Sequence, residues 1–211
     1  MMTICGGLVD LKPTIFVRPG LSVCFYQEWL SASDSRQLLY RLRTDVEWMQ
    51  GEIRLFGRFI DEPRLTAWSG DVPYTYSKRT LETRSWHPQL VELLRSLDAL
   101  LETLGISTPQ GLNHCLLNYY RSGQDSMGWH RDNESELGRQ PVIVSLSLGE
   151  PRRFRLRQKY DGTSAPLTFE LGDGDLLIMY GPTQTYWEHA LLKSRKDLGP
   201  RMNLTFRSVV V

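Results

Sequence analysis

Apolar residues recur at two different spacings along the first half of this 211-residue chain, which predicts both strands and helices. Short apolar runs at 14–17 and 21–25 are typical of β-strands. Ser31 and Asp34 then resemble a capping box, and apolar residues follow them at helical spacing, so a helix is predicted there. A second helix is predicted for 88–104, where a proline precedes leucines that recur every three or four residues and a glycine follows.

The pattern becomes strand-like between the two helices and again after the second one. Residues 51–78 are rich in aromatic residues, glycine and proline, and they are predicted to form a hairpin and loops. Beyond residue 109, short apolar runs separated by turn residues predict strands at 112–121, 127–131, 142–148, 153–158, 166–171, 175–180, 186–191 and 201–211. Strands at this spacing indicate a β-sandwich or jelly roll. We therefore expect one α+β, mainly β domain with N-terminal helices.

Charge and cysteine usage narrow the class of protein. The formal net charge is +1, so attraction to nucleic acid would need local basic patches. Cys5, Cys24 and Cys115 are widely spaced, which indicates reduced thiols and no zinc site or disulfide framework. No stretch reaches the roughly 18 apolar residues that span a bilayer, and the start of the chain lacks a signal-peptide pattern. We expect a cytoplasmic protein, or a nuclear one in a eukaryote, without a membrane partner.

The β-rich half contains candidate metal ligands. His130 and Asp132 lie two residues apart on a predicted strand, so their side chains share a face. An imidazole and a carboxylate are two members of the 2-His-1-carboxylate triad, which leaves open positions on iron(II). Among the four histidines of the chain, His189 lies where a jelly roll would return it beside His130. A hydrogen-bonded surface pair has the same local pattern, and the spacing alone leaves that alternative open.

Residues 201–207 alternate strictly between polar and apolar side chains, which predicts a strand with one polar face. The polar face carries Arg201, Asn203, Thr205 and Arg207. Arginine binds carboxylates through two parallel hydrogen bonds, so this face suits a dicarboxylate such as 2-oxoglutarate. Asn118 and Tyr120, also two apart on a predicted strand, would add an amide and a phenol. An edge strand with a solvated face would show the same alternation.

Four segments of the chain resemble the AlkB family of nucleic-acid demethylases. They are Leu117-Asn-Tyr-Tyr-Arg-Ser-Gly, Trp129-His-Arg-Asp-Asn-Glu, Val144-Ser-Leu-Ser-Leu-Gly and Pro200-Arg-Met-Asn-Leu-Thr-Phe-Arg. The segments occur in the family's order within residues 50–208. The chain is most similar to the animal AlkB homologues that repair alkylated DNA and RNA.

The resemblance implies a fold, cofactors and their ligands. The expected fold is a double-stranded β-helix, or jelly roll, over about 112–211, with a β-hairpin nucleotide-recognition lid over about 45–80, in one AlkB-like domain of residues 1–211. By resemblance, the ligands of iron(II) are His130, Asp132 and His189. The residues expected to bind 2-oxoglutarate are Asn118, Tyr120, Arg201, Asn203, Thr205 and Arg207. Arg201 would hold the distal carboxylate and Arg207 would lie nearer the carboxylate that chelates iron, with O2 as the other reactant.

The resemblance also implies a reaction and a set of substrate contacts. A monomer would oxidatively demethylate bases such as 1-methyladenine and 3-methylcytosine in DNA, with RNA as an alternative, and release formaldehyde, succinate and CO2. A flipped base would stack between His130 and the lid aromatics Tyr76, Tyr74 and Trp68. Further contacts are expected from Glu134 to the base, from Phe56 as an apolar finger in the duplex, and to phosphates from Arg153, Arg155 and Arg157.

The sequence leaves structural and functional alternatives open. The lid aromatics are also compatible with a small buried core, Phe56 with a buried hairpin residue, and the arginines with a solvated strand face. One other function is a 2-oxoglutarate-dependent hydroxylase or demethylase of a protein side chain or small molecule, which turnover on peptides alone would favour. Another is a non-catalytic nucleic-acid-binding module, against which the intact triad and arginine pair argue.

Overall fold

The computed structural model of the protein describes residues 11–55, 58–76, 79–108, 110–160 and 165–210. The strands before the second helix are β1 (Thr14–Arg18), β2 (Leu21–Tyr26), β3 (Met49–Leu55), β4 (Arg58–Gly70), β5 (Tyr74–Tyr76) and β6 (Arg79–Leu81). Those after it are β7 (His114–Tyr120), β8 (Met127–His130), β9 (Ile143–Gly149), β10 (Arg152–Gln158), β11 (Leu167–Leu171), β12 (Leu176–Tyr180), β13 (Trp187–Leu191) and β14 (Arg201–Arg207). The helices are α1 (Ala32–Asp45), α2 (Pro88–Thr103) and the single turn α3 (Thr183–Tyr186), with a 3-10 turn at Ser135–Leu137.

The strands form two antiparallel sheets and a small hairpin. The larger sheet has eight strands in the order β1-β2-β12-β9-β14-β7-β4-β3, and the smaller has four in the order β11-β10-β13-β8. β5 and β6 form the separate hairpin. Apolar side chains from both sheets, such as Leu177 and Met179 from β12 and Leu156 from β10, form one buried cluster. The two sheets therefore face each other as a jelly roll, as the sequence predicted.

The two long helices cover the outer face of the larger sheet. Ser31 caps α1 by accepting a hydrogen bond from the backbone N–H of Asp34, and Pro88 opens α2, so both predicted helix starts are confirmed. Leu38 and Leu42 of α1 are fully buried in a second cluster, which also contains leucines of α2. Burying a leucine stabilises the fold by about 1.5–3 kcal/mol. The helices thus pack on one face of the larger sheet, and the other face is directed toward the smaller sheet.

The strands that were expected in the C-terminal half are present, with one difference. The predicted strand 201–211 is too long, because β14 ends at Arg207. In the segment predicted as the lid, β4 pairs with β3 over residues 58–66 and with β7 over residues 65–70. β3 and β4 therefore extend the larger sheet at one edge. Among the described residues, each helix is too short or too polar to cross a membrane.

Candidate functional site

Pairing of β8 with β13 brings the three predicted metal ligands together. His130 and His189 are directly opposite each other in this pair, and their ring centroids are 4.1 Å apart. Asp132 follows β8, with Oδ2 3.8 Å from Nε2 of His189. One ligand atom from each residue lies within 4.8 Å of the others. Asp132 is only 1% exposed, so the surface-pair alternative does not describe this structure.

The charge of the metal site is fixed by its surroundings. Arg207 donates to Oδ1 of Asp132 at 3.0 Å, deep in the protein. Burial opposes ionisation of Asp132, but the positive charge and the hydrogen bond of Arg207 outweigh it and lower the pKa of Asp132 to about 2. Because Oδ1 faces Arg207, Oδ2 is the oxygen directed toward the histidines. The carboxylate is therefore ionised at neutral pH and oriented as a ligand.

The two histidines are held neutral, as metal ligands must be. Burial lowers the pKa of His130, and burial together with the neighbouring His130 lowers the pKa of His189 to about 3. His130 Nδ1 lies 2.8 Å from the carbonyl oxygen of Gly128, so Nδ1 carries the hydrogen and Nε2 is left for a metal. The ring of Phe154 lies 5.3 Å from that of His189 and gives the site an apolar wall. Two neutral imidazoles and one carboxylate fit iron(II).

The predicted polar strand lies in the middle of the larger sheet. β14 is paired with β9 on one side and with β7 on the other, so the edge-strand alternative does not hold. Arg201 is opposite Tyr120, and Asn203 is opposite Asn118, across the β14–β7 pair. All four side chains line one pocket, together with Thr205, Arg207 and the three metal ligands. The residues predicted to bind the cosubstrate thus surround the metal site.

Arg201 is built into the floor of this pocket as a buried cation. It is 2% exposed, and its NH2 group donates to Ser147 at 2.8 Å and to Asn203 at 3.0 Å. Burial lowers the pKa of its guanidinium to about 10, and no carboxylate of the described residues forms an ion pair with it. Its Nε has no hydrogen-bond partner among the described residues. An anionic ligand group would satisfy both needs, so these residues fit a carboxylate of 2-oxoglutarate.

Three further polar residues of the site were missed in the sequence. Two of them are serines of β9 that bond to β14. Ser145 Oγ donates to Asn203 Oδ1 at 2.9 Å, and Ser147 Oγ accepts from Arg201 at 2.8 Å. Arg64 of β4 donates to Asn118 Oδ1 at 2.8 Å and is 3% exposed. The alternation of the two serines with apolar neighbours in β9 could have revealed them. The contact of Arg64 depends on the β4–β7 register and had no local signal.

The structure places the lid aromatics less openly than expected. Tyr74 is 1% exposed, lies 4.9 Å from the ring of His114 and has the guanidinium of Arg207 over its ring at 5.8 Å. Trp68 is half-buried, donates to the carbonyl oxygen of Glu82 at 2.8 Å and is covered by Arg84 at 5.1 Å. Tyr74 is thus enclosed and one face of Trp68 is covered by Arg84, and the predicted stacking role of both rings stays a prediction.

The remaining predicted substrate residues differ in their relation to the pocket. Glu134 is half-buried near Asp132, and burial, followed by the charge of Asp132, raises the pKa of its carboxyl group. Arg153 and Arg155 point away from the buried Phe154 and line a separate groove that also contains Lys193. Arg157 on the same face pairs with Glu188 at 2.8 Å. Tyr76 is the last residue of β5, and Phe56 lies outside the described residues. All these substrate roles stay predictions.

Known proteins with similar sequences match most of the chain. Residues 22–207 match the family described as the 2OG-Fe(II) oxygenase superfamily. Over 209 residues the chain is 39% identical to human alpha-ketoglutarate-dependent dioxygenase alkB homolog 3, and the aligned region covers 95% of this chain and 69% of that protein. It is 33% identical over 199 residues to human DNA oxidative demethylase ALKBH2, with 89% and 74% covered.

Solved structures with the same fold include more distant relatives. "The structure of OsALKBH1" superimposes with a TM-score of 0.61 at 18% identity, covering 92% of this chain and all of that one (100%). A Pseudomonas putida prolyl-4-hydroxylase superimposes with a TM-score of 0.59 at 15% identity, covering 90% and 92%. Identities this low show the jelly-roll fold alone. The family match and the closer relatives show that the chain belongs to the AlkB family of 2-oxoglutarate- and iron(II)-dependent dioxygenases.

Proposed function

We propose that this protein reverses alkylation damage by oxidative demethylation of N-alkylated bases, such as 1-methyladenine and 3-methylcytosine, in DNA. The observation that carries the proposal is the pocket in which a His-Asp-His cluster faces a buried arginine pair, beside a hairpin lid. The name of one relative, DNA oxidative demethylase, supports DNA as the substrate. Formaldehyde, succinate and CO2 are the expected products.

The chain's own residues would perform three tasks. Arg201 would pair with the distal carboxylate of 2-oxoglutarate, and Arg207 would lie nearer the carboxylate that reaches the metal. His130, Asp132 and His189 would hold iron(II) and keep its remaining positions open. Bound iron(II) and 2-oxoglutarate supply the activation of dioxygen that oxidises the methyl group.

The apolar wall of the pocket would exclude water from the reacting groups. Phe154 and Leu191 of the smaller sheet line it, together with Ile143 and Met179 of the larger sheet. Excluding water strengthens the electrostatic interactions inside the site and limits side reactions. We propose that the charged and amide side chains of the pocket bind the cosubstrate while these apolar side chains keep water away from the metal site.

A base must reach this buried site from the lid side. We propose that Tyr76, aided by Tyr74 and Trp68, stacks on a flipped base whose other face lies on His130. Because Tyr74 is buried against the ring of His114, its part in this stacking requires a movement of β5. Glu134, half-buried beside Asp132, would contact the polar edge of the base.

The test is a direct comparison of substrates under identical conditions. Methylated single-stranded DNA, duplex DNA, RNA and a methylated peptide would each be incubated with the enzyme, iron(II), ascorbate and 2-oxoglutarate, and the products would be identified by mass spectrometry. The proposal expects the unmodified base to appear in DNA, and Asp132→Ala serves as the inactive control. If the peptide were demethylated and the oligonucleotides were unchanged, the result would contradict a nucleic-acid substrate and favour a protein substrate.

The groove on the outer face of β10 is a candidate phosphate contact. Arg153, Arg155 and Lys193 lie along it, and their charges would attract a nucleic-acid backbone. The groove is distinct from the pocket, so these residues would add affinity without reading the base.

We further propose a monomer that is cytoplasmic, or nuclear in a eukaryote, with residues 1–211 as one catalytic domain and RNA as a second substrate.

A further inference from the structure

The short turn α3 is hydrogen-bonded to one of the two segments that carry the candidate metal ligands and is continuous with the other. It runs directly into β13, which carries His189, and it bonds to residues 131 and 132 after β8. Arg131 donates to the carbonyl oxygen of Thr185 at 3.2 Å. The backbone N–H of Asp132 donates to Oε1 of Gln184 at 3.0 Å, across 52 positions of sequence. Two hydrogen bonds therefore join this turn to the residues around Asp132.

The side chain of Gln184 is buried in a turn that is bonded to the larger sheet. Gln184 is 1% exposed, and its Nε2 lies 3.5 Å from the sulfur of Met179 in β12. Thr183, the preceding residue, accepts from the backbone N–H of Ser22 at 2.9 Å, and its single hydroxyl hydrogen donates to the carbonyl oxygen of Tyr180 at 2.7 Å. The turn is thus anchored to two strands of the larger sheet. Gln184 projects from this anchored turn to the backbone of Asp132.

Asp132 is consequently fixed at two points that leave one oxygen for a metal. Arg207 binds Oδ1 of its carboxylate, and Gln184 binds its backbone N–H. Oδ2 is the oxygen that lies near His189. Asp132 lies two residues beyond the end of β8, so it lacks the ladder hydrogen bonds that hold His130 in place. The amide of Gln184 supplies the missing backbone partner.

We propose that Gln184 is a positioning residue for the metal site, which sets the direction of the Asp132 carboxylate by holding its backbone. The inference rests on the iron site of the proposed function but not on its nucleic-acid substrate. A ligand whose supports are removed binds its metal typically 10–100-fold more weakly, because the free site must be ordered on binding. Loss of Gln184 is therefore expected to act on metal affinity first and on turnover as a consequence.

The experiment measures metal affinity without turnover. Gln184→Met keeps an unbranched side chain of similar length and removes the acceptor, so it preserves the packing against Met179. Mn(II) would be titrated calorimetrically into the anaerobic protein with saturating 2-oxoglutarate. We expect Gln184→Met to bind Mn(II) about 10–100-fold more weakly than the parent. Exchange of the Asp132 backbone amide with deuterium, followed by NMR, is expected to become at least about tenfold faster.

Thr183→Val is the matched control, because it removes hydrogen bonds from the same turn without touching Asp132. It is expected to lower the melting temperature while Mn(II) affinity stays within about threefold of the parent. Equal loss of affinity in both variants, or parental affinity in Gln184→Met, would overturn the positioning role. If Gln184→Met does not fold, Gln184→Leu is measured in its place. Failure of the parent itself to bind Mn(II) would instead contradict the metal site of the proposed function.

Discussion

Replacing the buried guanidinium at the floor of the pocket tests cosubstrate recognition most sharply. Arg201→Met retains much of the side-chain volume and removes the charge and all donors. In the parent, the NH2 group of Arg201 bonds to Ser147 and Asn203, and its Nε lacks a partner among the described residues. The variant would leave a carboxylate of 2-oxoglutarate buried without its cation. The apparent affinity for 2-oxoglutarate is therefore expected to fall.

The size of this effect follows from the burial of Arg201. Truncating one partner of a buried, hydrogen-bonded charge pair costs about 2–5 kcal/mol, which is about 30-fold to 4000-fold in affinity. Stability without cosubstrate should move the other way. Burial lowers the pKa of Arg201 from 12.5 to about 10, so keeping it charged at neutral pH costs about 3 kcal/mol of folding free energy. Two lost hydrogen bonds, at about 1 kcal/mol each, offset most of this gain.

The assay is a pair of melting curves with Mn(II) present, recorded with and without 2-oxoglutarate. At a concentration 100 times the parent Kd, the cosubstrate should stabilise the parent by about 2.7 kcal/mol and Arg201→Met by at most about 0.9 kcal/mol. Arg201→Lys, which keeps the charge and loses the planar fork, should fall between them. Binding of a methylated oligonucleotide should be unchanged. An unaltered 2-oxoglutarate response in Arg201→Met would refute the assignment.

Three further predictions concern the metal, the lid and the core. His189→Ala should abolish Mn(II) binding and turnover while its circular-dichroism spectrum stays native; parental turnover would show that the third ligand is another residue. Phe56→Ala should slow repair of duplex DNA much more than of single strands, and equal slowing in rate assays would exclude a wedge. Because burial holds the pKa of His114 at about 3, only the unfolded chain gains this proton between pH 6.5 and 5. His114→Phe should thus lose about 2 kcal/mol less stability over that range in urea titrations, and identical losses would contradict it.

The polar strand shows why part of the site was predictable from sequence. The strict period of two in β14 fixes which side chains share a face, and one apolar face with one charged face leaves little freedom in register. Met202 and Leu204 are fully buried toward the helices, while Arg201 and Arg207 face the pocket. The choice of His130 and Asp132 followed from the same periodicity. The resemblance to a known family then gave these residues their roles.

Other features depend on distances that only the folded chain defines. The ion pair between Arg207 and Asp132 spans 75 positions, and the contact between Arg64 and Asn118 spans 54. Both require the register of several strands at once. The sequence predicted that Tyr74 stacks on a base, yet its ring lies in the core between His114 and Arg207. A strand pattern indicates which face a side chain takes, but it does not indicate whether another element covers that face.

The most direct test of the central claim is the stoichiometry of coupled turnover on a methylated oligonucleotide. The enzyme would be incubated with iron(II), 2-oxoglutarate and single-stranded DNA containing one 1-methyladenine, and succinate, formaldehyde and repaired adenine would be quantified together. Coupled demethylation predicts equal amounts of all three, with none of the repaired base formed by Asp132→Ala. Succinate release that is independent of the oligonucleotide, with the methylated base left intact, would contradict the account.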